Sequence, residues 1–125
     1  MKRKRLSSWV LVAALLMPAS VPAIDMRSII AYPVPFNPDR QTMKIGYEQG
    51  AAPDALDSVS IQVFDINGDM VLSRSYTSLN PPVIWNGRNS AGIMVSPGMY
   101  IIKITAENSA TGEHGKKIIR ILVNR

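Results

Sequence analysis

Residues 83–100 read Val-Ile-Trp-Asn-Gly-Arg-Asn-Ser-Ala-Gly-Ile-Met-Val-Ser-Pro-Gly-Met-Tyr, and this stretch decides the fold. Trp85 ends a short apolar run, and the polar turn after it is bracketed by Gly87 and Gly92. Gly98 then follows a proline where the next strand begins. Glycine tolerates the positive φ angles of tight turns, and a large indole ring can fill the centre of a small core. The stretch therefore predicts a strand–loop–strand unit of a small β-sandwich, with Trp85 in the core.

The first 23 residues have the pattern of a secretory signal peptide. Residues 1–5 carry four positive charges, residues 9–17 are apolar, and Ala23 is the small residue expected before a cleavage site. The apolar run is too short to cross a bilayer, so no membrane span is predicted. We expect cleavage after Ala23 and export of residues 24–125 to the periplasm, the cell surface or the extracellular space.

The charge of the chain belongs mostly to this leader. The whole sequence has 14 basic and nine acidic residues and a net charge of +5. Four of the basic residues lie in the leader, so residues 24–125 carry ten basic and nine acidic residues, a net charge of +1. Nucleic acid and anionic membranes are therefore not predicted as partners. The chain has no cysteine, so neither a disulfide nor a lipid anchor on an N-terminal cysteine is possible.

Short apolar runs separated by proline and glycine are typical of an all-β chain. Alternation of apolar and polar residues is clear in residues 58–66 and 99–107, and the sequence contains neither a helical stretch nor an internal repeat. We predict one domain over residues 24–125, a seven-stranded antiparallel Ig-like or fibronectin III-like β-sandwich. The predicted strands are 28–32, 42–49, 58–66, 69–77, 83–85, 99–107 and 116–124.

The first predicted strand continues into a proline-rich arm. Pro33, Pro35 and Pro38 rule out a helix and weaken ladder pairing, so the segment is predicted to be an edge strand that continues as an extended arm. Phe36 lies between these prolines, and we expect its ring to tuck under the sandwich.

The hairpin around Asn67-Gly68 has two possible registers. A two-residue turn at Asn67-Gly68 would place Leu72 and Tyr76 on the face of Val63 and Val59. Alternatively, Asp65 opens a type I turn with Gly68 in the left-handed conformation, and Val63 then pairs with Val71. We favour the second register, because Asp suits the first turn position and Gly the fourth.

The sequence resembles the FlgD Ig-like domain, the sandwich module first named in the flagellar hook-capping protein, in four blocks: 32–38, 63–68, 85–92 and 97–100. It is also similar to the C-terminal sorting domains of bacterial type IX secretion. The resemblance implies the fold, whereas the function stays open because such domains are appended to unrelated exported proteins. The residues that match the family motif, with an implied structural role, are Pro33, Pro35, Phe36, Asn37, Pro38, Asp65, Gly68, Trp85, Gly87, Arg88, Gly92, Gly98 and Tyr100.

Two features depart from the family pattern. Val34 stands where the proline motif usually has Asn. The catalytic or flagellar segment that usually precedes the domain has no counterpart in this sequence, so we expect the domain to act alone behind its leader.

No catalytic residue, cofactor site or metal site is predicted. His114, the single histidine, lies in a glycine-flanked polar loop where a solvated side chain is expected. The run Asp65-Ile66-Asn67-Gly68-Asp69 matches the first positions of an EF-hand loop, but Met70 and Tyr76 stand where that loop requires Gly and Glu. We interpret the run as a β-turn in which Asp65 caps its own backbone.

Several basic residues have two interpretations. Arg88 is expected to brace its loop by pairing with a carboxylate, and otherwise to be a contact residue on an exposed rim. Lys116, Lys117 and Arg120 are expected to be exposed charges that protect an edge strand. In a type IX sorting domain they would instead belong to the recognised signal.

The sequence favours a non-enzymatic exported module that acts by protein–protein contact in the cell envelope or outside the cell. Its partner would be an unknown protein of the cell envelope. A type IX sorting domain is one alternative, and a carbohydrate-binding module is another. The latter usually needs two or three aromatic side chains on one exposed face, whereas Trp85 and Tyr100 are expected in the core.

Overall fold

The computed structural model describes residues 23–53 and 55–125. The predicted leader, and with it the proposed cleavage signal apart from Ala23, lies outside these residues. The described residues form seven β-strands. They are β1 (Ile29–Tyr32), β2 (Met43–Tyr47), β3 (Ser58–Asp65), β4 (Met70–Tyr76), β5 (Val83–Trp85), β6 (Gly98–Asn108) and β7 (Glu113–Val123).

The strands form a β-sandwich of two sheets. A three-stranded sheet has the order β1-β2-β5, and a four-stranded sheet has the order β4-β3-β6-β7. Neighbouring strands are antiparallel in both sheets. This arrangement confirms the predicted all-β, Ig-like sandwich, in which β4 extends the sheet of β3.

The core is built from the alternation along the long strands. On β6, Tyr100, Ile102 and Ile104 point inward, while the residues between them are half-buried or exposed. Ile102 and Ile104 lie opposite Val63 and Ile61 of β3 in the ladder, so the inward residues of adjacent strands meet. The largest side chains with less than 2% exposure are Phe36, Ile29, Met43, Ile45, Leu79, Ile102, Ile104, Ile121, Val59, Val63 and Val123.

The segments on either side of β1 run along the outer edge of β7. At one end, the Ile24 N–H donates to the carbonyl of His114 at 3.1 Å. At the other end, the Phe36 N–H donates to the carbonyl of Leu122, and the Asn124 N–H donates to the carbonyl of Phe36, both at 2.8 Å. The proline arm therefore joins the two sheets, and the Phe36 ring is fully buried as expected.

The β3–β4 hairpin corrects the favoured register. The turn itself has the predicted chemistry, because the Gly68 N–H donates to the Asp65 carbonyl at 3.0 Å and Gly68 has a φ of 87°. However, Val63 lies opposite Leu72, and Val71 is an extra residue that forms a β-bulge. The predicted Val63–Val71 pair is therefore wrong, and beyond the bulge the strands follow the other register.

The bulge has a structural reason outside the hairpin. The carbonyl of Val71 accepts the N–H of Ser90 at 3.1 Å, so the displaced residue bonds to the loop after Trp85. That contact joins residues distant in sequence, which local turn rules do not include.

Among residues 23–53 and 55–125, no helix has both the length and the apolar character needed to cross a bilayer.

Candidate functional site

Trp85 is the centre of an aromatic cluster in the core. It is 4% exposed, and its ring centroid lies 5.7 Å from that of Phe36 and 6.5 Å from that of Tyr100, which it meets edge-on. The indole Nε1–H donates to the carbonyl of Arg88 at 2.9 Å, so the buried polar atom is satisfied. Trp85 and Tyr100 therefore lie in the core, as expected, and neither presents an open face to a ligand.

Gly87 and Pro38 explain why two distant blocks of the family motif occur together. Gly87 is buried with a φ of 77°, and a Cβ placed on it would lie 2.5 Å from the Cβ of Pro38. A side chain at position 87 would thus require both a rare backbone conformation and a shift of the proline arm. The loop after Trp85 packs directly on the arm that carries Phe36.

Asn37 organises the end of the arm. Its side-chain oxygen accepts the N–H of Asp39 at 3.0 Å, and its carbonyl accepts the N–H groups of Arg40 and Gln41 at 3.1 Å. Pro33 and Pro35 lie between β1 and Phe36, where the chain passes from one sheet to the other.

Two loops of the domain use the same turn. The Asp65 carboxylate accepts the N–H groups of Asn67 and Asp69, each at 2.9 Å, as the capping interpretation predicts. The Asn89 side chain does the same for Ala91 and Ile93, at 3.0 and 2.9 Å. Both turns have a glycine at the fourth position, Gly68 with a φ of 87° and Gly92 with a φ of 81°. Sequence reasoning missed the second copy, although the pattern Asx-x-x-Gly occurs in both.

Arg88 braces its own loop through a backbone group. Its guanidinium donates to the carbonyl of Gly92 at 2.9 Å, and the side chain is exposed. Over the described ranges, no carboxylate forms an ion pair with it. The expected Arg88–carboxylate pair is therefore wrong: the acceptor is a carbonyl that the turn leaves unused.

Tyr100 closes the base of this loop. Its hydroxyl donates to the carbonyl of Ser96 at 2.7 Å. Burial is the main cause that raises the pKa of the Tyr100 hydroxyl above its usual value, and the negative charge of Asp65 raises it further. Gly98, two residues before Tyr100, is the first residue of β6 and has a φ of 147°. The polar groups of the loop after Trp85 therefore form hydrogen bonds that hold the loop in its own conformation.

Lys117 is not the exposed charge that the sequence suggested. It lies on the inner side of β7, and its ammonium donates to the carbonyls of Ile29 and Arg27 at 2.5 and 3.1 Å. It therefore ties the start of β1 to β7. Lys116 and Arg120, on the other face of the strand, are exposed as expected.

The outward face of the four-stranded sheet carries an unexpected surface. Where the strands approach the β3–β4 turn, Met70 lies opposite Phe64, and Phe64 lies opposite Ile101. Met70 is 54% exposed and Ile118, on β7, is 57% exposed. We define the apolar patch as six residues that point outward here: Phe64, Met70, Met99, Ile101, Ile118 and Leu122.

The sequence contained a signal for this patch. Strands with one solvated face normally alternate apolar and polar residues. On β6 and β7 the outward positions are themselves partly apolar, with Met99 and Ile101 on one strand and Ile118 and Leu122 on the other. These strands therefore carry a second apolar row on the outward face, in addition to the inward row that forms the core.

His114 is exposed, and its Nδ1 lies 3.4 Å from the carbonyl of Gly112. In the part of the chain that the structure describes, no group of three or more His, Cys, Asp or Glu side chains could hold a metal ion. The Asp65 turn has one carboxylate oxygen occupied by two N–H groups of its own loop.

Similarity to known proteins agrees with this architecture. The family model of the FlgD Ig-like domain matches residues 40–110, more than half of the chain. None of the curated proteins matches the sequence.

Two solved structures, both of Porphyromonas gingivalis proteins, contain a similar fold. PorZ, described as an essential bacterial surface component of the type-IX secretion system, is 22% identical with a TM-score of 0.54 over 80% of this chain. Dimeric latent PorU is 17% identical with a TM-score of 0.54 over 76% of this chain. The matches cover 12% and 9% of those longer chains, so they concern the fold of one domain. By its family match and its sandwich, the chain belongs to the FlgD Ig-like domain family.

Proposed function

We propose that this chain is an exported, non-enzymatic Ig-like module that acts by protein–protein contact in the cell envelope or outside the cell. The observation that carries the proposal is the apolar patch on the outward face of the four-stranded sheet. Four of its residues, Met70, Met99, Ile118 and Leu122, are each more than 40% exposed. Export rests on the predicted signal peptide at residues 1–23, with residues 24–125 as the exported domain.

A contiguous exposed apolar surface is a common feature of protein interaction sites. Single exposed apolar residues are ordinary, but here the half-buried Phe64 and Ile101 lie between the four exposed ones, so the patch extends over all four strands of one sheet. Burying them against a partner would contribute roughly 25 cal/mol for each Å² removed from water. The loop after Trp85 is a weaker candidate, because its polar groups already bond to one another.

The proposal predicts which surface captures a partner. Residues 24–125 are immobilised and exposed to an envelope extract of the bacterium that makes the protein, and the bound proteins are identified by mass spectrometry. The variant Ile118→Ser/Leu122→Ser is expected to lose the proteins that the unaltered domain retains. Ile84→Ser is the matched control, because Ile84 is 56% exposed but lies on the other sheet. This substitution should leave the set of captured proteins unchanged. Equal capture by both variants, or no capture by the unaltered domain, would contradict the proposal.

A type IX sorting domain is the second candidate, supported by the similarity in fold to domains of PorZ and PorU. In that case the basic side chains of β7 would be part of the recognised signal. Lys116→Glu/Arg120→Glu tests this, and Lys117 is left unchanged because its ammonium bonds to the backbone before and within β1.

Under the leading proposal, this variant folds and reaches the same compartment as the unaltered protein. Exposed charges of this kind change stability by about 0.5 kcal/mol or less each. Fractionation and immunoblotting measure the location, and circular dichroism measures the fold. A folded variant that stays in the periplasm while the unaltered protein reaches the surface would favour the sorting function instead.

A further inference from the structure

Ile118 of β7 is the most exposed residue of the apolar patch, and positively charged side chains lie on three sides of it. Ile118 lies opposite Lys103 in the β6–β7 ladder, and Lys116 and Arg120 are its outward neighbours along β7. Side chains directly opposite in such a ladder are about 4.5–5.5 Å apart at Cβ, and residues two apart on a strand are about 7 Å apart. We call Lys103, Lys116 and Arg120 the three-cation ring.

The three cations outnumber the carboxylates on this face of the described structure. None of the three forms an ion pair in residues 23–53 and 55–125. Of the outward-facing strand residues on this sheet, Glu107 alone is a carboxylate, and it lies beyond Thr105, near Lys116. Lys103 and Arg120 therefore face outward beside exposed apolar side chains without a nearby negative group on the same surface.

We propose that the partner of this face is a protein surface in which an apolar site for Ile118 is flanked by carboxylates that pair with Lys103 and Arg120. This inference rests on the proposed function and assigns the chemistry of its partner. An apolar contact inside a charged rim is a usual arrangement in protein interfaces, where the rim sets specificity and orientation.

Two other occupants fit the face less well. A second copy packed face to face would bring six cations together with two Glu107 carboxylates, and like charges in an interface are unfavourable. In a lipid bilayer, insertion of Ile118 would draw Lys103 and Arg120 toward the hydrocarbon, which is costly for charged side chains. A protein surface can instead place carboxylates at the positions of the cations.

The test places a photo-crosslinking amino acid at Thr105, an exposed outward residue of β6 that belongs to neither the patch nor the ring, in the protein as made by its own bacterium. Lys103→Glu/Arg120→Glu is compared with Lys44→Glu, an exposed lysine on the other sheet. We expect a protein adduct whose yield falls at least about tenfold in the double variant and is unchanged in the control. The crosslinked segment of the partner should contain Asp or Glu, and changing these to Lys should restore the adduct to the double variant.

The possible failures are distinguishable. If the yield of the protein adduct in the double variant is within about twofold of the yield with Lys103 and Arg120 intact, the acidic-partner inference is overturned. The proposed function would remain intact. An adduct of twice the mass of the chain would identify a second copy and overturn the acidic-partner inference as well. Co-sedimentation of the purified domain with phosphatidylglycerol vesicles, lost in the double variant, would point to lipid. The lack of any protein adduct would count against both proposals.

Discussion

Trp85→Ala is expected to lower the free energy of unfolding by about 3–5 kcal/mol, a large share of the roughly 5–15 kcal/mol that stabilises a domain of this size. The substitution removes a ring that is 4% exposed and packs against Phe36 and Tyr100. It also removes the indole N–H that donates to the Arg88 carbonyl. The cavity, the lost aromatic contacts and the unpaired carbonyl all act in the same direction.

Chemical denaturation followed by far-ultraviolet circular dichroism measures this loss. Ile84→Ala is the control, since the neighbouring side chain is exposed and should change stability by no more than about 0.5 kcal/mol. In residues 24–125 Trp85 is the single tryptophan, so its own fluorescence reports its environment. A red-shifted, readily quenched emission of the unaltered domain, or a variant of equal stability, would contradict the burial of this ring.

Removal of residues 119–125 is expected to abolish folding. Ile121 and Val123 are each 1% exposed, and full burial of such a side chain is worth about 1.5–3 kcal/mol. The same deletion removes the Leu122 carbonyl and the Asn124 N–H that hold the backbone of Phe36. The loss therefore extends from β7 to the proline arm and to the aromatic cluster beyond it.

A two-dimensional amide NMR spectrum decides this outcome, because an unfolded chain loses its chemical-shift dispersion. Deletion of Arg125 alone is the control: its ion pair with Asp39 is exposed, at 3.4 Å, and contributes at most about 1 kcal/mol. A truncated variant that keeps dispersed signals and a cooperative thermal transition would show that β7 is dispensable.

The strands were predictable because their information is local. Alternation in residues 58–66 and 99–107 gives β3 and β6 to within one or two residues, and all seven strands were identified. The burial of Trp85 and Phe36 also followed, since large apolar rings beside turns and prolines have few other places to lie. The chemistry of the Asp65 turn was correct for the same reason.

The errors arose where a side chain or carbonyl bonds to a distant segment. The bulge at Val71 accompanies a hydrogen bond from Ser90, and Lys117 points inward because carbonyls near β1 accept its ammonium. No sequence periodicity encodes either contact. The apolar patch was missed for another reason: its members lie on four strands, and their adjacency depends on the registers of three ladders.

The hydrogen bonds between the N-terminal segment and β7 also constrain the order in which the chain can fold. Ile24 bonds to His114, ninety positions away, and Phe36 bonds to Leu122 at a similar separation. Contacts of such long range form late, because the loop between them must close before they stabilise anything. If the chain is exported as we propose, with its N-terminus entering a translocation pore first, β7 would enter that pore after the other strands. In that case we expect the domain to remain open during its passage and to close on the far side once β7 has emerged.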